Sequence, residues 1–265
     1  ENSGLSWSHV GTCSDCGSVY TVVVQPGDPD TLWVASDGGV QVSRDAGITW
    51  SGNLFTGLSK YEATTLDLAL HPSDPLTLLA ATSDAGVYRS TDGGQSWSSS
   101  NDGTESIQTH QVVFAPSDPN IVYLTTHDGI YRSDDNGKTW ARHDNGLTYT
   151  FTNAIAVDPT NPDVAYVGTA VEINTAHFNH INEGMHEGGG LYKTTDGGNS
   201  WYRIDADIEE PNIVAMATHP YLPFNLWAAG KAGRGAFFTP DAGNTWINST
   251  WSGAHYPMVF AFSHT

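Results

Sequence analysis

One eight-residue phrase returns five times along the chain and limits its architecture more than any other feature. It reads S-R-D-A-G-I-T-W at 43–50, S-T-D-G-G-Q-S-W at 90–97, S-D-D-N-G-K-T-W at 133–140, T-T-D-G-G-N-S-W at 194–201 and T-P-D-A-G-N-T-W at 239–246. Its aspartates, Asp45, Asp92, Asp135, Asp196 and Asp241, are 47, 43, 61 and 45 residues apart. A second marker keeps the same time. P-G-D-P (26–29), P-S-D-P (72–75), P-S-D-P (116–119), P-T-N-P (159–162) and P-Y-L-P (220–223) precede those aspartates by 19, 20, 19, 37 and 21 residues. A period near 45 residues means one supersecondary unit copied in series. The fourth copy carries an insertion, 171–189.

Inside a unit, four short β-type runs separate themselves. In the second unit they are T-L-D-L-A-L-H (65–71), L-T-L-L-A-A-T (76–82), V-Y-R-S (87–90) and S-W-S (96–98), here called strands A to D. No 3.6-residue periodicity supports a helical solenoid. Four antiparallel strands per period predict an all-β fold, a β-propeller with five complete blades, read as one domain over 1–265. Partial strands of a further blade are expected at the termini: G-L-S-W-S-H-V (4–10) reads as a D strand and M-V-F-A-F-S-H (258–264) as an A strand. The sequence is equally consistent with a piece of a longer chain and with another segment or subunit, including self-association, completing the last blade.

The repeated aspartate is expected to hold the C–D turn rather than to do chemistry. A carboxylate there can accept backbone N–H groups just ahead of it, and Gly or Asn tolerates the left-handed backbone such turns need. Trp50, Trp97, Trp140, Trp201 and Trp246 can cover the turns and pack between blades. A reactive group is wanted once or twice, not in every blade.

Ten Lys+Arg against 29 Asp+Glu leave a net charge of −19. Nucleic acid and anionic membrane surfaces both need clustered cations, so neither is an expected partner. No run of apolar residues is long enough for a membrane-spanning helix. Cys13 and Cys16 are the two cysteines; a lone C-x-x-C cannot supply four zinc ligands, so a short-loop disulfide in an oxidising, extracellular setting is expected. Asn248-Ser249-Thr250 permits glycosylation.

The S/T-x-D-x-G-x-x-W phrase in every unit, with the P-x-D-P and G-V-Y-R-S-T-D-G-G elements, resembles the Asp-box (BNR) repeat over nearly the whole chain. The pattern is nearest to xyloglucanase-type two-propeller glycoside hydrolases and sortilin-like propellers. That resemblance implies a box at the blade periphery, away from the ligand face. It also brings in sialidases, which need three arginines gripping a carboxylate. Of six arginines, Arg44, Arg89, Arg132, Arg142 and Arg203 hold repeat positions and only Arg234 does not, so sialidase chemistry is disfavoured.

In the two-propeller hydrolases one catalytic carboxylate sits on a B–C turn. The matching turns here carry Asp37, Asp84 and Asp128, and Asp37 and Asp84 are the candidate catalytic acids. The partner acid of that family comes from a second propeller, so an enzyme built from these five units would need two B–C aspartates as its pair. Strand alternation puts the B–C turns and D–A loops on one face. That face gathers Asp128, Tyr61, Glu62, His110, Tyr149 and Phe151 with His177, His180 and His186 of the insertion, whose spacing matches no metal motif. No cofactor is expected. The expected function is an extracellular binding or assembly module taking a glycan or a protein on this face; the alternatives are a xyloglucanase-type hydrolase and a structural subunit of a filament or surface layer.

Overall fold

The computed structural model describes residues 6, 8–51, 64–170, 189–206, 208, 213–230 and 236–249. Among the described residues every regular element is a strand. Blade 1 comprises β1 (Val19–Gln25), β2 (Asp28–Ser36) and β3 (Gly39–Ser43). Blade 2 comprises β4 (Thr65–Leu70), β5 (Leu78–Thr82), β6 (Val87–Ser90) and β7 (Ser98–Ser99). Blade 3 comprises β8 (Thr109–Phe114), β9 (Val122–Thr126), β10 (Gly129–Ser133) and β11 (Ala141–Arg142). Blade 4 comprises β12 (Thr152–Val157), β13 (Ala165–Thr169), β14 (Gly190–Thr194) and β15 (Tyr202–Arg203). Blade 5 comprises β16 (Ile213–Thr218), β17 (Leu226–Gly230), β18 (Ala236–Thr239) and β19 (Ile247–Ser249).

Each sheet is antiparallel and follows chain order; four have four strands and blade 1 has three among the described residues. The D strand read at 4–10 does not form over Ser8–Val10, and Trp7 lies outside the described residues, as does the A strand read at 258–264. The A strands pack in series, β1 on β4, β4 on β8, β8 on β12 and β12 on β16. These strands do not close a ring.

The core lies between blades. Four apolar clusters fill the four junctions, for example Trp33, Ala35, Val40 and Val42 of blade 1 against Leu68, Leu78 and Ala80 of blade 2. A blade covered on both faces buries both sides of its middle strands. L-L-A-A-T, V-Y-L-T-T and A-Y-V-G-T are accordingly buried at every residue and read as continuous runs rather than alternating ones.

The five boxes share one turn. In blade 2, Asp92 accepts the Ser90 hydroxyl (2.8 Å), the N–H groups of Gln95 (3.0 Å) and Ser96 (2.9 Å) and the Ser96 hydroxyl (2.5 Å). Ser90 Oγ in turn accepts the N–H of Gly94 (2.8 Å). At Asp45, Asp135, Asp196 and Asp241 the Ser or Thr hydroxyl two residues before and the N–H and hydroxyl four residues after make the same bonds. Donors aimed at a carboxylate favour its charged form. The Thr245 hydroxyl and N–H thus hold Asp241 down to about 2. Replacing Asp92 with Ala leaves these donors without their acceptor and is expected to cost about 1–2 kcal/mol. Chemical denaturation reads that loss, and ligand binding on the opposite loops should be unchanged.

The residue after each box aspartate is left-handed: Ala46 (φ 57°), Gly93 (72°), Asn136 (66°), Gly197 (72°) and Ala242 (59°). Its carbonyl is the point at which the preceding blade takes hold. Trp33 Nε1 donates to Gly93 O (3.1 Å), Arg89 Nε to Asn136 O (3.2 Å), Arg132 Nη1 to Gly197 O (3.0 Å) and Lys193 Nζ to Ala242 O (3.1 Å). Arg89, Arg132 and Lys193 hold the same C-strand position. Blade 1 has Val42 there, and the indole of Trp33 from the B strand does the job instead. Every blade junction therefore carries one polar tie to the turn of the blade that follows.

Candidate functional site

Every A strand is bulged after its first residue, as the register skips between Val19 and Thr21, Thr65 and Asp67, Thr109 and Gln111, Thr152 and Ala154, and Ile213 and Ala215. A bulge re-aims one side chain. The bulged residues are Tyr20, Leu66, His110, Asn153 and Val214, all at the end where D–A loops enter and B–C turns leave. Two of the five therefore bring polar aromatic groups to that face.

In blade 3 the bulged His110 meets His127 of the B–C turn and Phe151 of the following D–A loop. Phe151 lies 4.8 Å from each imidazole, and the two imidazoles are 6.4 Å apart between ring centres. His110 Nδ1 stands 2.6 Å from the carbonyl of Thr152. A carbonyl only accepts, so Nδ1 carries the proton and Nε2 keeps its lone pair. Burial lowers the pKa of His110; the Thr152 carbonyl opposes that shift and His127 adds to it. The cluster thus presents aromatic faces and a neutral acceptor.

Asp128, exposed beside His127, donates its N–H to Thr126 Oγ1 (3.1 Å), and its carbonyl accepts Arg142 Nη2 (2.6 Å). Arg142 is itself paired with Asp144 at 2.7 Å. Tyr149 is half-buried on the D–A loop that leads to Phe151. Of the residues expected on this face, His110 and Phe151 come into contact with each other. His127 was not among them, although the H-D-G turn differs from the S-D of blades 1 and 2 in that residue. Tyr61, Glu62, His177, His180 and His186 lie outside the described residues.

The two candidate acids sit on neighbouring turns with local partners. Asp37 Oδ1 accepts the Tyr20 hydroxyl (2.6 Å) and Oδ2 the Ser18 N–H (2.8 Å), a second use of a bulged residue. The bond from Tyr20 to Asp37 raises the pKa of the phenol. Asp84 accepts the Ser83 hydroxyl at 2.8 Å. Thr64 joins the turns, its hydroxyl donating to Asp37 O (3.4 Å) and its carbonyl accepting the Ser83 N–H (3.0 Å).

Away from this face, Asp67 is a buried carboxyl of the A strands, 8% exposed. It accepts the Thr21 hydroxyl of blade 1 (2.9 Å) and the Val112 N–H of blade 3 (3.1 Å), tying three blades together. Gln111 repeats the device one blade on, its Oε1 accepting the Ile155 N–H (2.8 Å). Burial pushes the Asp67 carboxyl up to about 7 against those two donors. Cys13 and Cys16 are joined in a disulfide ahead of β1, and Asn248 is exposed on β19. Among the described residues no group of three or more His, Cys, Asp and Glu side chains could hold a metal ion.

Comparison with known proteins adds a family model and a fold. The model described as sortilin, neurotensin receptor 3 (Sortilin-Vps10) matches residues 85–181, a little over a third of the chain. No curated protein matches. An ancestral GH74 enzyme superposes with a TM-score of 0.72 at 19% identity over 89% of this chain and 32% of its own. The GH74 xyloglucanase from Xanthomonas campestris gives 0.63 at 20% identity, over 87% of this chain and 38% of its own. YCF48 bound to D1 peptide gives 0.60 at 18% identity, over 89% and 69%. The chain therefore spans about a third of the length of the GH74 structures. Repeat, strand order and these likenesses agree on the fold: the chain is an all-β series of propeller blades that share one aspartate turn.

Proposed function

We propose that the chain is a secreted binding module that takes its ligand, a glycan or a segment of another protein, on the B–C and D–A loops of blades 3 and 4. The observation that carries this reading is the His110–His127–Phe151 cluster, drawn from a bulge, a turn and a loop. Sugars and peptides both stack C–H faces on rings and hydrogen-bond to acceptors. Asp128 and the neutral His110 supply acceptors, while the nearby guanidinium of Arg142 is already paired. The YCF48 structure, bound to D1 peptide, supports a protein ligand by analogy of fold. The disulfide supports an oxidising compartment.

The experiment is a binding screen of the purified chain against immobilised glycans and peptide libraries, followed by titration of the best ligand. Phe151→Ala and His127→Ala should each weaken that ligand about tenfold or more, as losing a stacked ring in a pocket does. The melting temperature should stay within about 3 °C. Full affinity in both variants overturns the assignment of this face. The GH74 likeness favours a second reading, hydrolysis with Asp37 and Asp84 as the acid pair; turnover of β-glucan oligosaccharides that disappears in Asp37→Ala would establish it in place of binding alone.

A further inference from the structure

Asparagine is followed by glycine at two places in the chain, Asn136-Gly137 and Asn145-Gly146. This dipeptide is chemically fragile, because a glycine nitrogen has no Cβ beside it to block approach to the preceding side-chain amide. The fold treats the two pairs oppositely. Gly137 is buried, and its N–H donates to Ser133 Oγ (2.9 Å). Asn136 is fixed left-handed at φ 66°, its carbonyl accepting Arg89 Nε (3.2 Å) and its side-chain Oδ1 buried. A nitrogen so held cannot turn on the side chain before it. Asn145 and Gly146 are both exposed on the D–A loop from blade 3 to blade 4. Among the described residues the Gly146 N–H has no acceptor, and the Asn145 amide is held by its bond from Nδ2 to Asn199 O (3.1 Å).

The loop cannot shed this glycine. Gly146 has φ 94°, and a Cβ on it would collide with the main-chain carbonyl of Trp201. The two meet because the box tryptophan of blade 4 grips the loop twice. Trp201 N–H donates to Asn145 O (2.9 Å), and Trp201 Nε1 donates to His143 O (2.7 Å). The loop from blade 2 to blade 3 repeats the arrangement with an acid. There Asp102 O accepts the Trp140 N–H (2.9 Å), and Gly103 follows at φ 87°. The position thus accommodates an amide or an acid on an unaltered main chain.

We infer that Asn145 is a self-modification site, at which the chain converts its own asparagine to isoaspartate and aspartate. Base removes the Gly146 amide proton, and that nitrogen attacks Cγ of Asn145. The Cγ–Nδ2 bond breaks, and ammonia leaves with a proton taken from water, giving a cyclic imide. Water then opens the ring at one of its two carbonyls. Opening at Cγ restores the main chain with aspartate in place of asparagine. Opening at the main-chain carbonyl gives isoaspartate, in which the chain runs through Cβ and Cγ. In balance one water enters, one ammonia leaves, and nothing is oxidised or reduced. Isoaspartate lengthens the main chain by one carbon and turns the carbonyl that holds the Trp201 N–H into a free carboxylate, so the grip on the loop slackens. Phe151 stands on the same loop; an effect on ligand binding rests on the function proposed above, whereas the chemistry does not.

Incubation of the purified folded chain at pH 8 and 37 °C, followed by peptide mapping, tests this. The peptide containing Asn145 should gain the mass of an amide-to-acid exchange and become a substrate for an isoaspartyl methyltransferase. The peptide containing Asn136 should stay intact in the folded chain and react only when the chain is unfolded in urea. Both changes should be slower at pH 6, because the attacking nitrogen must lose its proton. Hydrogen exchange reads the structural consequence at the amides of Leu147 and Trp201. Both should exchange faster in the aged wild type than in freshly prepared Asn145→Asp, which carries the acid without the added carbon. Asn145 that survives in the folded chain as long as Asn136 does overturns the inference. So does an aged chain rich in isoaspartate whose Trp201 amide exchanges as slowly as in Asn145→Asp. Neither readout uses the loop face as a binding site, so failure here leaves that reading untouched.

Discussion

Asp67→Asn should flatten the stability of this protein across pH 4 to 8, where the wild type is expected to lose a few kcal/mol. Burial raises the Asp67 carboxyl from 3.8 to about 7. Below about pH 4 the group is protonated in both the folded and the unfolded chain, and its contribution is fully present. Between 4 and 7 the unfolded chain releases this proton while the folded chain keeps it, so stability falls as pH rises, by up to about 1.4 kcal/mol per unit. Above 7 the loss is complete. His110 works in the opposite sense, since its lowered pKa makes the folded state bind fewer protons than the unfolded state near pH 6. Subtracting the Asp67→Asn curve from the wild-type curve removes that background. An amide keeps an acceptor for Val112 N–H and offers a donor to Thr21 Oγ1, so the variant should fold. Asp67→Ala, which leaves both donors without an acceptor, should instead be less stable at pH 4 by about 1–3 kcal/mol. A difference curve with no slope between pH 4 and 7 would show that Asp67 is ionised in the folded protein.

Arg132→Ala is the second large effect, expected to cost about 1–3 kcal/mol in urea unfolding, most of it from the lost junction bond and packing, because water screens the half-exposed or exposed carboxylate partners. Arg132 is 13% exposed and bonds Asp163 at 2.8 Å, Asp134 at 2.9 Å and the Gly197 carbonyl at 3.0 Å, with its guanidinium 5.7 Å over the Tyr123 ring. Truncation leaves the Gly197 carbonyl and the two carboxylates of Asp134 and Asp163 without their cation. The chain contains its own control, because Lys193 performs the same tie to Ala242 O one junction later. Arg132→Lys should therefore recover more than half of the loss, although a single ammonium cannot reproduce the forked contact with Asp134 and Asp163. Equal losses in Ala and Lys would assign the effect to the Asp134 and Asp163 pairs rather than to the junction tie.

Much of this architecture was legible in the sequence because repetition separates structural roles from particular ones. Five copies of S/T-x-D-x-G-x-x-W give the turn, and the P-x-D-P markers give the A–B connection. His71 and His219 stand just before that connection's first proline, and their Nδ1 atoms accept the N–H groups of Ser73 and Asp74 and of Tyr221 and Leu222. The A-strand bulge was not legible. It depends on a register slip between strands and leaves no composition mark, yet it delivers His110 to Phe151 and Tyr20 to Asp37. His127 was overlooked because a B–C turn favours Asp for its own reasons, so Asp128 drew attention from its neighbour. Asp67 could have been found: one acid inside T-L-D-L-A-L departs from a buried strand, and Thr21 and Gln111 hold the same place in the adjoining units.

The tie from each blade to the left-handed carbonyl of the next gives the molecule a direction. Trp33, Arg89, Arg132 and Lys193 all reach forward along the chain, never back. During synthesis the donor has already left the ribosome when the turn it secures emerges, so each unit meets a finished template. The box tryptophans answer in the other direction: the indoles of Trp140, Trp201 and Trp246 donate to the carbonyls of Ser100, His143 and Ile204 in the unit before, so a finished junction is held from both sides.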